Sequence, residues 1–204
     1  MSRTNRPVDQ IKAGVVAVAD PRSSDLCLDC GLCCDGSIFG KARLRPDELE
    51  LSVAAGLERV DDDGQAFFRL GCSCLDRTAC RIYEKRPETC RTFRCALLNR
   101  LDTGDVDFMT AKTMVAEARR LADRADELND RVENRADARE RWYHQFGALL
   151  AGEARGSADQ RADPAWLIAM TAFNRFLDRH FRHPAQRQIR EDDGGLRHPS
   201  EERV

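Results

Sequence analysis

The sequence predicts an α+β chain: a small, loop-rich domain at about residues 23–100, followed by a helical hairpin at about 105–182. Three observations lead there. All nine cysteines fall between Cys27 and Cys95, and the hundred or so residues after them contain none. Within that front stretch the apolar runs are short and separated by turn signals such as Asp63-Gly64. From Asp105 to Phe146 there is neither glycine nor proline, and apolar residues recur at alternating spacings of four and three, the period of a helix face.

Residues 1–22 are polar with one small apolar patch and read as a flexible lead-in. The patch, "AGVVAVAD", follows Arg3, Arg6 and Lys12 and contains an A-x-A pattern. Its apolar run is only about seven residues, lacks Leu and Phe, and leads into Asp20-Pro21, so we read no secretory signal there. The cysteine-rich region then runs from about Asp25 to Leu98. In it "RPDELELSVAAGL" predicts a helix, with Pro46 in the first turn, Asp47, Glu48 and Glu50 near its positive end, and Gly56 to stop it. "VDDDGQAFFRL" predicts a turn at Asp63-Gly64 and a short strand at Ala66–Leu70, with "FGKARLR" as its partner strand. "RPETCRTF" reads as another helix start.

Beyond Asp105 the predicted stripe is Met114, Ala118, Leu121, Ala125, Leu128 and Val132. It fades through "ENRADARER" and resumes at Trp142, Phe146 and Leu149, so a bend or break is read near 133–140. "GEARGSADQRAD" is a loop. Asp163-Pro164 supplies an N-cap and a first-turn proline for a second helix, striped by Trp166, Met170, Phe173 and Leu177 and ending before His183-Pro184. Residues 183–204 read as a polar, disordered tail. The two stripes are explained by helices packed on each other or on the cysteine domain; a protein partner on them is the alternative use.

Composition narrows the function. With 42% hydrophobic residues the core is ordinary, but aromatics are sparse at 6% and charged residues abundant at 33%, which implies much exposed helix. A net charge of −2 gives no pull toward nucleic acid or an anionic membrane. Arginine outnumbers lysine 29 to 4, which with the abundant alanine reads as coding bias and not as a binding signal. No run approaches the roughly 18 apolar residues that span a bilayer. A cytoplasmic, reducing location is therefore expected, where stable disulfides are uncommon. An odd number of thiols also argues against complete pairing.

Metal ligation is then the leading use of the sulfur. The first group is C-x2-C-x2-C-C, at Cys27, Cys30, Cys33 and Cys34. C-x2-C spacing lets two thiolates reach one metal from a tight turn, with backbone N–H groups facing the sulfurs, and Gly31 suits such a turn because it takes positive φ. The triplet is like that of bacterial ferredoxins, which favours iron–sulfur over zinc. Cys33 and Cys34 are neighbours, whose side chains aim apart, and so point to different metals. The second group holds Cys72, Cys74, Cys80, Cys90 and Cys95. Cys90 near a helix N-terminus is expected to have a lowered pKa. Cys95, about 140° further round a regular helix, shares a metal with it only if the helix ends or distorts. Two four-thiolate sites need eight ligands, and nine cysteines are available. An all-sulfur set excludes hard, oxygen-seeking cations.

Together, "CLDCGLCC", "CSCL" and "CRIYEKRPETCRTFRC" resemble the CxxCxxCC cysteine-cluster family (YkgJ-like), to which zinc or iron chelation is ascribed and to which the flagellin lysine N-methylases are related. The resemblance covers roughly 25–98. It implies Cys27, Cys30, Cys33, Cys34, Cys72, Cys80, Cys90 and Cys95 as ligands, and leaves Cys74 as the dispensable ninth thiol, close enough to replace Cys72. Its functional implication is an iron–sulfur or zinc protein with a structural or electron-transfer role. The alternatives are a methylase acting from S-adenosylmethionine on protein lysine, for which the short chain shows no donor site, and a zinc-stabilised adaptor.

The remaining polar residues read more plainly. Tyr83 and Arg86 are packing or a substrate contact, and Arg91 and Arg94 are surface arginines or counter-charges to the thiolates. His180 and His183 lie one turn apart but read as helix surface, and "RHFRHPAQRQIR" as a solvated helix end. No phosphate-cradling loop and no Cys-His catalytic motif is present.

Overall fold

A computed structural model describes residues 22–128, residue 146 and residues 163–187. The lead-in before residue 22, the bend expected near 133–140, the loop at 152–162 and the tail beyond 187 lie outside the described residues, as do Val132, Trp142 and Leu149.

The front region is built from short pieces. Helix α1 (Ser23–Cys30) carries the first two cysteines, where a turn was expected. It stops because Gly31 takes φ 69°, and the Gly31 N–H reaches back to the Cys27 carbonyl at 3.2 Å. Strand β1 (Lys41–Arg43) follows. Pro46 then opens a 3₁₀ turn at Pro46–Glu48 that runs into helix α2 (Leu49–Ala54), ended by Gly56 at φ 70°.

The predicted hairpin is present: Asp63 and Gly64 both take positive φ, and β2 (Arg59–Asp62) returns as β3 (Gln65–Arg69). The three-stranded antiparallel sheet has the order β1-β3-β2, with Ala42 opposite Phe68 and Val60 opposite Phe67. A second ribbon pairs β4 (Leu75–Asp76) with β5 (Ala79–Cys80). Short helices α3 (Glu88–Thr92) and α4 (Ala96–Asp102) complete the region.

Two long helices follow, α5 (Phe108–Glu127) and α6 (Pro164–His180), packed side by side. Asp163 caps α6 as expected, its carboxylate accepting from the Ala165 N–H at 2.8 Å. The α6 stripe is the predicted one: Trp166, Met170, Phe173 and Leu177 are buried. The α5 stripe is only partly the predicted one. Ala111, Val115, Ala118, Ala122 and Ala125 are buried, whereas Met114, Leu121 and Leu128 are only half-buried. The reason is volume, since four alanines let the large α6 side chains sit close to the α5 backbone.

These helices share their core with the cysteine region. Leu26, Leu32, Ile38, Phe68 and Leu97 join Val115, Ala118, Ala122, Phe173, Leu177 and Phe181 in one buried cluster. A smaller cluster gathers Ala125, Phe146, Trp166 and Met170 at the other end of the helix pair.

Candidate metal centre

Each cysteine is held by its own local device. Cys27 and Cys30 are three residues apart on α1, hence on one helix face. Close packing fixes the end of that helix: a Cβ on Gly31 would meet the Thr78 Cα at 3.0 Å, which sets α1 against the turn between β4 and β5. From the other side Arg119 of α5 donates to the Cys30 carbonyl at 2.9 Å. Cys33 and Cys34 lie in the turns beyond Gly31. The Cys34 carbonyl accepts from the Cys72 N–H at 2.7 Å, tying the two separated cysteine stretches together. Cys80 ends β5, two strand residues from the tight turn.

Helix α3 is short, and this decides the fate of Cys90 and Cys95. Phe93 adopts an extended conformation, so the helix ends after Thr92 and Cys95 becomes the N-cap of α4. The two sulfurs therefore part company. The start of α3 is clamped by Glu48, buried between the two segments: one carboxylate oxygen accepts from the Glu88 N–H at 2.6 Å and the other from the Arg45 N–H at 3.0 Å.

The sulfurs form two neighbourhoods. A cavity of about 40 Å³ is lined by Cys27, Cys30, Cys33, Cys34 and Cys95, with Leu32, Phe93 and Phe181 among its apolar walls. Cys30, Cys33 and Cys95 are within electrostatic reach of one another and of Cys27. Cys34 lines that cavity too, but its strongest sulfur neighbours are Cys90 and Cys72, followed by Cys27 and Cys80. Cys27, the one exposed cysteine of the nine, stands between the two sets, beside both Cys80 and the first group. Cys74 adjoins the second set, within reach of Cys72, but its thiol has a partner of its own. It is 2% exposed and donates its S–H to the Ala55 carbonyl at 3.3 Å.

All nine thiols are free. Burial pushes Cys30, Cys33 and Cys34 well above the ordinary thiol range, with neighbouring sulfurs adding to the rise. Burial likewise raises Cys72 to about 11, Cys90 to about 12 and Cys95 to about 11. The lowered pKa expected for Cys90 is thus reversed, because desolvation and the charges of Cys72 and Cys80 outweigh the dipole of a five-residue helix. Although Cys27 is exposed as a whole residue, its thiol is packed among protein groups, and desolvation raises it against the opposing pull of Arg86 and Arg94. These two arginines act as counter-charges. Arg94 is also ion-paired to Asp102, and Arg86 stacks on the Tyr83 ring at 3.6 Å.

The donor set suits a thiophilic cation. Backbone N–H groups point at three of the sulfurs: that of Leu98 at Cys95 (3.5 Å), that of Leu32 at Cys30 and that of Cys74 at Cys72. Such N–H···S contacts favour the thiolate, and a buried group of thiolates needs a cation to hold it. Among the described residues no three His, Cys, Asp or Glu side chains stand in a closed metal-binding arrangement.

Residues 26–119 match the family model CxxCxxCC, described as "Putative zinc- or iron-chelating domain". Over those residues the chain is similar to this family. The matched residues span every one of the nine cysteines, and run on through α4 and half of α5. A search of curated proteins and a search of solved structures each found no match. No helix among the described residues is long and apolar enough to cross a membrane.

Several residues that matter here escaped the sequence reading. The sequence marks Glu48 only as a first-turn acid and does not single out Arg119. The basic stretch at the end of α6 was read as solvated, yet Phe181 and Arg182 are each 1% exposed. The one sequence signal for Arg182 is its i,i+4 spacing from Asp178, with which it forms a buried ion pair. His180 and His183 do not converge as a metal pair: His183 Nε2 lies 2.8 Å from the Arg94 carbonyl, while His180 packs on Phe176.

Proposed function

We propose that the cysteine region holds two thiolate-bound metal centres, one on Cys27, Cys30, Cys33 and Cys95 and one on Cys34, Cys72, Cys80 and Cys90. The observation that carries this reading is the divergence at Cys33-Cys34. Supporting it, the strongest sulfur neighbours of Cys33 are Cys95, Cys27 and Cys30, whereas those of Cys34 are Cys90 and Cys72. Four thiolates satisfy either a zinc ion or a cubane cluster. The C-x2-C-x2-C triplet favours iron–sulfur, and a reducing cytoplasm suits nine free thiols. The centres are structural or carry electrons, and bound metal supplies part of the folding energy of the front region.

Elemental analysis and a visible spectrum on protein purified without oxygen test the proposal. Iron–sulfur gives a brown protein with acid-labile sulfide; zinc gives a colourless one with two ions per chain. Cys33→Ser and Cys34→Ser should each remove one centre, and different ones, whereas Cys74→Ser should leave the metal content unchanged. A single metal centre per chain would falsify the two-site reading. Loss of all metal in Cys74→Ser alone would overturn the ligand assignment.

A further inference from the structure

The chain from Phe181 to His183 is bonded to both segments that carry the first sulfur group. The Phe181 carbonyl accepts from the Ala96 N–H at 3.0 Å, one residue after Cys95. His183 Nε2 meets the Arg94 carbonyl at 2.8 Å, one residue before Cys95, and its ring stands edge-on to Phe93. Arg182 reaches the other segment. Its Nη2 donates to the Ser37 carbonyl at 2.7 Å, and the Ser37 N–H in turn bonds the Asp35 carboxylate, in the turn that leaves Cys33 and Cys34. Arg182 Nη1 is anchored on α6 itself, to Asp178 at 2.8 Å and to Asn174 at 3.1 Å.

A guanidinium withdrawn fully from water is expensive, and a solvated arginine would serve as well at a helix C-terminus. What burial adds here is the bond to Ser37, 145 residues away in sequence. Phe181 also forms part of the wall of the cavity lined by Cys27, Cys30, Cys33, Cys34 and Cys95.

The second sulfur group is braced differently. Its ties are the Cys72 N–H to the Cys34 carbonyl, the Glu48 clamp on α3 and the β4–β5 ribbon. None of these ties involves residues 181–183.

Resting on the two-centre reading above, we infer that residues 181–183 are a clasp that sets the positions of Cys33 and Cys95, so that docking of the α6 end controls occupancy of the first centre and not the second. Arg182 and His183 are positioning residues, acting through Ser37 and Arg94. By reciprocity, metal in the first centre strengthens the docking of α6.

The test is a Co²⁺ titration of the full-length, reduced protein, read by thiolate-to-cobalt absorption beside far-UV circular dichroism. The wild type should take up two equivalents. The double variant Arg182→Met/Asp178→Leu removes the buried ion pair as a unit, which keeps the fold, and breaks the bond to Ser37. It should lose one equivalent, leave the same spectrum as Cys33→Ser, and keep its helical signal. His183→Ala, at a half-buried position, should release one equivalent to a chelator at least several-fold faster than the wild type. Two equivalents bound with wild-type affinity and release rate, or equal weakening of both, overturns the clasp. If the double variant does not fold, His183→Ala decides by the same criterion. A wild type that binds no cobalt instead sinks the two-centre reading, and the clasp with it.

Discussion

Helix α5 runs for 20 residues and α6 for 17, whereas no regular element of the cysteine region exceeds eight. The two regions consequently solve the same problem in different ways. Along α5 and α6 each turn repeats the contact of the last, small residue against large, and the backbone groups are satisfied within the helix. In the cysteine region a strand of two or three residues can neither bury a useful face nor satisfy its own backbone. Its order comes from single long-range ties: Cys72 to Cys34, Glu48 to Glu88, Thr89 to the Arg43 carbonyl at 2.9 Å. Such ties close loops at an entropic penalty, and metal–sulfur bonds are the strongest means this composition offers to offset it. Yet one apolar cluster runs through both regions, so the helices also form a wall for the sulfur cavity.

The sharpest way to break this contrast is to remove the metal. Exhaustive chelation should abolish hydrogen-exchange protection across about 23–100, while amides along the α5–α6 seam near Ala122, Ala125 and Met170 stay protected. A front region that keeps its protection without metal would mean that the apolar cluster alone suffices. Simultaneous loss in both regions would mean that they unfold as one unit.

Truncating the seam is the next largest effect. Phe173→Ala, at a residue 3% exposed, should destabilise the protein by about 3–5 kcal/mol in denaturant unfolding. The metal content of the folded fraction should not change. If metal is lost in proportion to stability, the two regions are more tightly coupled than the contrast allows.

Gly31→Ala should act on the front region alone. Its φ of 69° and the 3.0 Å approach to Thr78 make any side chain there strained, by about 1–2 kcal/mol for the backbone conformation alone. Thermal unfolding of the metal-loaded protein reads that loss, and a variant as stable as the wild type would show that the α1 end is free to move.

The smallest effect is a dependence on pH. Because burial holds Cys72, Cys90 and Cys95 protonated up to about 11 to 12, each captured ion displaces protons. The sign follows from the raised values. The neutral thiols stabilise the metal-free fold below the ordinary thiol pKa, and that contribution is lost as pH climbs through 11 and 12. Metal competes with those protons, so Zn²⁺ affinity in a competitor titration should rise with pH throughout the range below them. An affinity that is flat with pH would indicate thiolates already formed, and helical content should not follow the titration in either case.

How much of this was legible in the sequence follows the same division. The α6 stripe, the Asp163 cap, the Asp63-Gly64 hairpin and the Pro46 helix start are set by residues within a few positions of one another, and each is found where its residues predict it. The motif spacing likewise marked the cysteines, and the adjacency of Cys33 and Cys34 is what suggests that they serve different centres. Of the expected α5 stripe Ala118 and Ala125 are buried, but Met114, Leu121 and Leu128 give way to Ala111, Val115 and Ala122, since which face is buried depends on the size of the α6 side chains opposite. The Cys90 pKa was misread for a similar reason: its sequence shows a helix start, but not the sulfurs packed around it.

The sequence by itself determined that this chain carries a sulfur-rich stretch similar to the CxxCxxCC family and a long helix pair, because spacing and periodicity are local properties that short-range stereochemistry reads directly. The tertiary structure alone decided which sulfurs lie within reach of one another, that Arg86 and Arg94 act on Cys27, and that a buried Arg182 joins the last helix to the loop beyond Cys34. Those outcomes depend on burial and on contacts between residues far apart in sequence, where desolvation outweighs anything a neighbouring residue can dictate.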